Sequence, residues 1–236
     1  LGKEIARKLH MDNEVVIISN KKEELDVTAN ELRCGKYLCD ITNDLEIPTF
    51  LTITVDKTGF GPSLSFGLKS SLSLEEAMLG SLEEAFHIRP WIRGEMLKRR
   101  FENFPLTPRE IKTILDRGLF WTSTQMVGHL DFFINSRKPK VIKITSFVGS
   151  KKKELQLVIR MLEKKGFDVF YADISIENFK KLGYLVYKAV IPQLQPLYLN
   201  EHHKELRIQR LKSVYQYFGN ESFSIKQLNQ IPQPFL

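Results

Sequence analysis

Residues 73–89, SLEEAMLGSLEEAFHIR, carry the side chains with the clearest chemical potential in this sequence. At roughly 100° per residue on a helix, Glu76, Glu83 and His87 share one narrow sector, and Glu84 lies at its edge. Carboxylates are hard oxygen ligands, and Mg²⁺ commonly binds one or two of them together with nucleotide phosphate oxygens. The spacing is compatible with a metal–nucleotide site, although this segment alone favours an amphipathic helix whose glutamates meet only water.

The residues that flank these carboxylates fit both interpretations. Ser73 followed by Glu76 predicts a capping box, in which each side chain accepts a hydrogen bond from the backbone N–H of the other residue at the helix start. Four arginines at or after the end of the segment could neutralise phosphate charge: Arg89, Arg93, Arg99 and Arg100.

The C-terminus reads NQIPQPFL and is the second feature with functional potential. Pro232 and Pro234 fix two φ angles and disfavour helix in the residues before them. The last residues are therefore expected to form an extended strip of low conformational entropy, which can be placed accurately in a cleft. For this tail taken alone, an ordinary frayed terminus is the competing interpretation.

Several common catalytic patterns are missing from the sequence. It has neither a GxxxxGK[ST] loop nor a GxGxxG fingerprint, so a standard P-loop enzyme is disfavoured. It also lacks a nucleophile elbow and an HExxH helix, and we expect His129, His202 and His203 to be non-catalytic. Cys34 and Cys39 have no second pair to complete a tetrahedral metal site and are expected to be idle thiols.

The composition is that of an ordinary globular protein, with 42% hydrophobic and 27% charged residues in 236. The formal net charge of +7 favours anionic partners. Most basic residues stand beside apolar ones at helical spacing, which predicts solvated helix faces and makes a nucleic-acid surface the minority interpretation. The apolar runs are too short to span a bilayer, so we expect a cytoplasmic protein without membrane contact.

The apolar pattern predicts one mixed α/β domain over residues 1–236, in which helices cover a mixed sheet and residues 219–236 form the tail. Strands are expected at 14–18, 36–41, 49–55, 63–68, 141–147, 168–173 and 184–192, the third and fourth forming a hairpin. Helices are expected at 2–10, 73–118 with breaks or kinks at Pro90 and Pro105, 151–165, 176–182 and 202–218.

The order of these motifs resembles the YcaO family of ATP-dependent enzymes that modify peptide backbones. A DIT turn leads to PTFLTITVD, then to FGLKSSLS and to EEAMLGSLEEAFHIR, which is similar to the family's Glu-Ala-x-Gln-x-Arg helix pattern. A DIS turn, the segment 183–201, Arg210 with Leu211 and the closing Pro-x-Pro-Phe follow. The resemblance covers most of the chain and implies a YcaO-like partial domain.

The resemblance implies roles for individual residues, with ATP and Mg²⁺ as cofactors. Glu84 takes the place of a glutamate that helps to hold Mg²⁺ and the nucleotide, and Arg89 matches the arginine of the same pattern. His87 stands where the family has Gln or Glu and is included among the expected cofactor-binding residues. The tail resembles the one that supports cyclodehydration in azoline-forming members, and its expected catalytic residues are Pro232, Pro234 and Leu236.

One expected part of the family site has no counterpart in this sequence. The family assembles its site from two glutamate-bearing helices, and the earlier pattern is missing upstream of Pro48. The chain is therefore expected to be the C-terminal portion of such a domain, or one piece of a split domain. By itself it should bind nucleotide poorly and be inactive.

The implied function of the complete protein is an ATP-dependent cyclodehydratase that converts Cys, Ser or Thr of a ribosomal precursor peptide to azolines, as in bacteriocin maturation. A leader-binding E1-like protein is the implied partner, and a homodimer is one option for assembly. Two alternatives stay open. The first is a thioamide-forming enzyme of the same family, and the second is a non-catalytic basic scaffold that binds peptide or RNA.

Overall fold

The structure is a computed structural model that describes residues 34–56, 61–100, 104–105, 107–134, 147, 149–198 and 200–235. Strands β1 (Cys34–Asp40), β2 (Thr49–Asp56) and β3 (Leu64–Ser70) form an antiparallel sheet in the order β1-β2-β3. The three strands and the hairpin expected in this part of the chain are confirmed. The helix expected at 2–10 and the strand expected at 14–18 lie outside the described residues, as does the strand expected at 141–147 apart from Phe147.

The central strand β2 is buried on both faces. Because successive side chains of a strand point to opposite sides, its residues divide between two layers. The side chains of both layers are at most 4% exposed. The first layer holds Phe50, Thr52 and Thr54, and the second holds Leu51, Ile53 and Val55.

Helix α1 (Leu74–Lys98) covers the first face of this sheet. Ser73 caps its start, where the serine Oγ accepts from the N–H of Glu76 at 3.3 Å. The reciprocal half of the expected capping box is absent among the described contacts, because the Glu76 carboxylate accepts from Ser71 Oγ instead. The helix packs on a first-face core of buried residues: Leu38, Phe50, Leu74, Ala77, Met78 and Leu82.

The helix continues through Pro90, so of the break or kink expected at this residue the break is wrong. Proline removes one backbone donor from a helix and usually ends or kinks it. Here the turns beyond it are stabilised by packing, since Ile92 and Met96 are buried in a cluster with Leu119. Tertiary burial therefore outweighs the local cost of Pro90.

Gly67 lets the backbone of α1 approach β3 directly. A Cβ atom at this position would lie only 1.9 Å from the carbonyl oxygen of Ser81 and 2.5 Å from the amide nitrogen of Ala85. Beside this contact, the buried hydroxyls of Thr52 and Ser81 share a hydrogen bond of 2.8 Å. The position of α1 on the sheet is therefore set by the missing side chain at residue 67.

The second face of the sheet is covered by the segment that follows α1. This segment contains a 3₁₀ turn at Pro108–Glu110, α2 (Ile114–Phe120), a 3₁₀ helix at Thr124–Leu130 and α3 (Asp131–Ile134). With the sheet it forms a second-face core of Leu51, Ile53, Val55, Leu64, Phe66, Ile111, Phe120, Trp121, Met126 and Leu130. Phe66 and Trp121 meet edge to face with ring centroids 5.1 Å apart.

The remaining described elements are α4 (Lys151–Lys164), β4 (Phe170–Asp173), α5 (Glu177–Lys181), β5 (Tyr187–Val190), α6 (Ile208–Tyr217) and a 3₁₀ turn at Ile225–Gln227. Strands β4 and β5 form a separate antiparallel pair whose side chains are exposed on both faces, including Tyr171 at 77%. The α/β class is confirmed, although the described strands form two antiparallel sheets. The expected domain of 1–236 with its tail stays a prediction.

A long-range ion pair connects α6 to the turn after β1. Arg210 donates two hydrogen bonds to the Asp44 carboxylate, of 2.5 Å from Nη1 and 2.7 Å from Nη2. Its guanidinium also lies over the ring of Phe167, 5.3 Å from the centroid. The bidentate contact holds the pKa of the Asp44 carboxyl below its usual value.

Candidate functional site

Glu84 lies on the side of α1 that faces strand β3. It is half-buried, and its Oε2 accepts a hydrogen bond of 2.8 Å from the backbone N–H of Leu68. This bond fixes the carboxylate against the outer edge of β3. Oε1 accepts no hydrogen bond from any residue that the structure describes. One oxygen of Glu84 thus orients the side chain, and the other fits the role of a single oxygen ligand for Mg²⁺.

The other members of the predicted polar sector are exposed, as an amphipathic helix requires. Glu76, Glu83 and His87 all face solvent. Glu76 also lies 3.5 Å from Lys151 Nζ, in an exposed ion pair. No group of three or more His, Cys, Asp or Glu residues that could hold a metal ion occurs within the described ranges. These residues therefore do not form a complete metal site, and the role of His87 stays a prediction.

Arg89 joins the middle of α1 to the end of β2. Its Nη1 donates to the carbonyl oxygen of Pro62 at 2.8 Å, and its Nη2 forms a short ion pair with the Asp56 carboxylate. The Asp56 side chain is only 9% exposed, so the arginine neutralises a largely buried charge. Both terminal nitrogens thus have protein partners. The contact gives Arg89 a structural role, and its expected role toward the nucleotide stays a prediction.

The proline tail lies against the second-face core and is not a frayed end. Pro232 is buried, and the side chains of Ile231 and Phe235 pack against the core. Gln233 Nε2 donates to the carbonyl oxygen of Tyr198 at 3.2 Å, and Gln233 Oε1 accepts from the N–H of Phe235 at 2.7 Å. Residues 228–235 have no helix or strand, in agreement with the expected extended strip.

The described contacts place the tail and helix α1 on opposite faces of the sheet of β1, β2 and β3. Helix α1 packs on the first-face core, whereas Phe235 packs on the second-face core. Leu68 connects the two sides, because Glu84 binds its N–H while its side chain packs on the second-face core. Pro232 and Pro234 do not meet Glu84 directly in these contacts.

The expected catalytic roles of the tail residues stay predictions. Pro232 and Pro234 are placed by the structure, the first buried and the second half-buried. Leu236 lies outside the described residues.

A buried charged cluster that the sequence did not predict lies beside the tail. The side chain of Arg117 is 0% exposed and that of Glu201 is 3% exposed, and their Nη2 and Oε1 atoms are 2.8 Å apart. Burial lowers the pKa of Arg117, and the charge of Glu201 acts in the opposite direction. An arginine between Asp116 and Gly118 gives no sequence signal of burial, so only the fold identifies this pair.

Comparison with known proteins places this chain in a family. The family model described as YcaO cyclodehydratase, ATP- and Mg²⁺-binding, matches residues 15–195. The chain belongs to the YcaO family. No curated protein matches it. The resemblance inferred from the motifs is confirmed, and ATP and Mg²⁺ are the cofactors that the description of this YcaO family gives.

Two solved structures share the fold of this YcaO chain. A heterocyclase in complex with substrate and cofactor is 19% identical with a TM-score of 0.64, and the match covers 92% of this chain and 27% of that one. The heterocyclase TruD is 16% identical with a TM-score of 0.62, covering 92% of this chain and 28% of TruD. The chain thus spans little more than a quarter of the length of either heterocyclase.

Proposed function

We propose that the complete protein is an ATP-dependent cyclodehydratase that converts Cys, Ser or Thr residues of a ribosomal precursor peptide to azolines. The observation that carries this proposal is the YcaO family match over residues 15–195. The heterocyclase fold shared with two solved structures agrees with it. The absence of a Ser-His or Cys-His motif is compatible, because phosphoryl transfer depends mainly on positioning and charge neutralisation.

In this proposal α1 contributes one ligand to the cofactor site. Glu84 would be a ligand for Mg²⁺, and the hydrogen bond from the N–H of Leu68 to Oε2 fixes its carboxylate. The ion pair of Arg89 with Asp56 anchors α1 to β2 and so keeps Glu84 at the strand edge. When bound, Mg²⁺-ATP supplies the phosphoryl group that makes the substrate amide oxygen a leaving group. A complete metal site would need ligands besides Glu84.

We infer that other polypeptide segments work with this chain. Residues 170–190 expose many large apolar side chains, among them Tyr171, Leu182, Tyr184 and Leu185. Exposed apolar surface on this scale is typical of interaction sites. An E1-like leader-binding protein, the precursor peptide and a second copy of the chain are the proposed partners, in the cytoplasm. The structure's described helices include none long and apolar enough to cross a membrane.

The test uses the complete protein with ATP, Mg²⁺, its leader-binding partner and a validated precursor peptide. Mass spectrometry should show the loss of one water per modified residue, together with phosphate release. Glu84→Gln is the matched variant, because it keeps the size and the Leu68 contact but removes the charge, and it should lose both signals. A validated precursor that loses no water and releases no phosphate would exclude this function.

Two alternatives have distinct signatures. A thioamide-forming enzyme would exchange oxygen for sulfur and therefore increase the mass of the peptide. A non-catalytic basic scaffold is the second alternative, and the formal net charge of +7 favours it. Such a scaffold would bind RNA with steep salt dependence and would not bind Mg²⁺-ATP.

A further inference from the structure

Arg117 contacts Tyr198 in addition to its buried ion pair with Glu201. Besides binding Glu201, Arg117 donates from Nη1 to the carbonyl oxygen of Tyr198 at 3.1 Å. Its guanidinium also lies over the Tyr198 ring, 5.8 Å from the centroid. A buried guanidinium is costly unless its charge and its donors are matched. Arg117 therefore fixes both the ring and the backbone of Tyr198.

The carbonyl oxygen of Tyr198 is also the contact point of the proline tail. Gln233 Nε2 donates to it at 3.2 Å, so this oxygen accepts from Arg117 and from Gln233, as its two lone pairs permit. The other end of the same amide group, Gln233 Oε1, accepts from the N–H of Phe235 at 2.7 Å. A continuous chain of hydrogen bonds thus runs from the protein interior to the last described residue.

Glu201 is held from two sides. Its Oε1 binds Arg117 at 2.8 Å, and its Oε2 lies 3.2 Å from Lys204 Nζ. Lys204 is 29% exposed, whereas Glu201 is 3% exposed. The carboxylate is therefore a fixed counter-ion, which limits the positions that the Arg117 guanidinium can take.

We propose that Arg117, with Glu201 as its counter-ion, is a positioning residue that sets the register of the proline tail through the Tyr198 carbonyl. Gln233 is the tail residue that binds this fixed point. The consequence for catalysis rests on the proposed function, whereas the consequence for tail position does not. In the described hydrogen bonds, Arg117 is joined to the tail through the Tyr198 carbonyl and Gln233.

The proposal is tested by hydrogen exchange of the tail in the full chain. Gln233→Glu is the most selective variant, because it still accepts from Phe235 but no longer donates to Tyr198. Arg117→Lys keeps the charge and loses the forked donor geometry. The double variant Arg117→Met with Glu201→Leu removes both buried charges, a change that folded proteins often tolerate.

All three variants should speed exchange of the tail peptide about fivefold or more, the factor of one lost hydrogen bond. A peptide from α1 should exchange at the wild-type rate, which shows that the fold is intact. Adding Gln233→Glu to the double variant should give no further increase, because both changes break the same chain of contacts. Unchanged tail exchange in the double variant with an intact α1 would overturn the proposal.

A second measurement separates this inference from the proposed function. If the complete protein is an active cyclodehydratase, Gln233→Glu should lower kcat while leaving KM for ATP within twofold of wild type. Equal loss of ATP binding would contradict a role through the tail. If the wild-type protein shows no cyclodehydration, the proposed function fails, and the exchange result still decides the positioning role of Arg117.

Discussion

Replacing Gly67 with alanine tests how closely helix α1 must approach the sheet. The new Cβ would lie 1.9 Å from Ser81 O, and ordinary contact begins near 3.4 Å, so the helix backbone must retreat by about 1.5 Å. The retreat would lengthen the hydrogen bonds of Ser81 to Thr52 and of Glu84 to Leu68. Overpacking costs about 1 to 3 kcal/mol, and each of the two weakened hydrogen bonds contributes about 1 kcal/mol. We therefore expect Gly67→Ala to lower the free energy of unfolding by about 4 kcal/mol.

The matched control is the same substitution at Gly94 in the same helix. A Cβ at Gly94 would have nothing within 4 Å, so Gly94→Ala should raise the free energy of unfolding by about 1 kcal/mol through helix propensity alone. Urea unfolding followed by circular dichroism measures both variants against wild type. If Gly67→Ala unfolds within 1 kcal/mol of wild type, or if both variants shift in the same direction, the close approach is not what places the helix.

Three further predictions concern charged and ionisable groups. Arg210 keeps the pKa of Asp44 below its usual value, so their ion pair stabilises the fold at pH values above the unfolded pKa of about 4. This stabilisation is lost as the pH falls through the folded pKa. Wild type should therefore lose more stability than Asp44→Asn in acid unfolding titrations between about pH 5 and pH 2; equal losses would contradict this. Burial raises the pKa of the Cys39 thiol to about 11, so iodoacetamide at pH 8 should modify it much more slowly in the folded than in the urea-unfolded chain, and equal rates would show an accessible thiolate. Arg89→Met should lower the free energy of unfolding by about 3 kcal/mol, because it leaves the nearly buried Asp56 carboxylate without this cation. The double variant with Asp56→Asn should recover part of this loss in urea unfolding.

The elements that the sequence predicted best are those whose pattern and ends agree. The β-branched run 49–55 and the turn after it predicted the β2–β3 hairpin, and Ser73 predicted the start of α1. The break allowed at Pro90 does not occur, because the rule for proline considers only local structure, whereas Ile92 and Met96 are buried against a distant part of the chain. Sequence pattern therefore predicts where helices and strands lie, but it does not predict the tertiary packing that can offset an unfavourable local residue.

In the candidate site, too, the sequence predicted local features but not long-range contacts. The order of motifs was enough to predict the family, and helical spacing was enough to place Glu83 and His87 together on one side of α1. It could not predict that Arg89 binds Asp56, since these residues are 33 positions apart in the chain. The pairing of Arg117 with Glu201 spans 84 positions, and such contacts follow from the fold, not from local spacing.

Following the amide oxygen shows whether the complete protein activates a peptide amide with ATP. A precursor peptide carrying ¹⁸O in the carbonyl before the reacting Cys, Ser or Thr is treated with the complete protein, its partner and Mg²⁺-ATP. We expect the released phosphate to carry the ¹⁸O label and the Glu84→Gln variant to release no labelled phosphate. Azoline formation that leaves the phosphate unlabelled would contradict it.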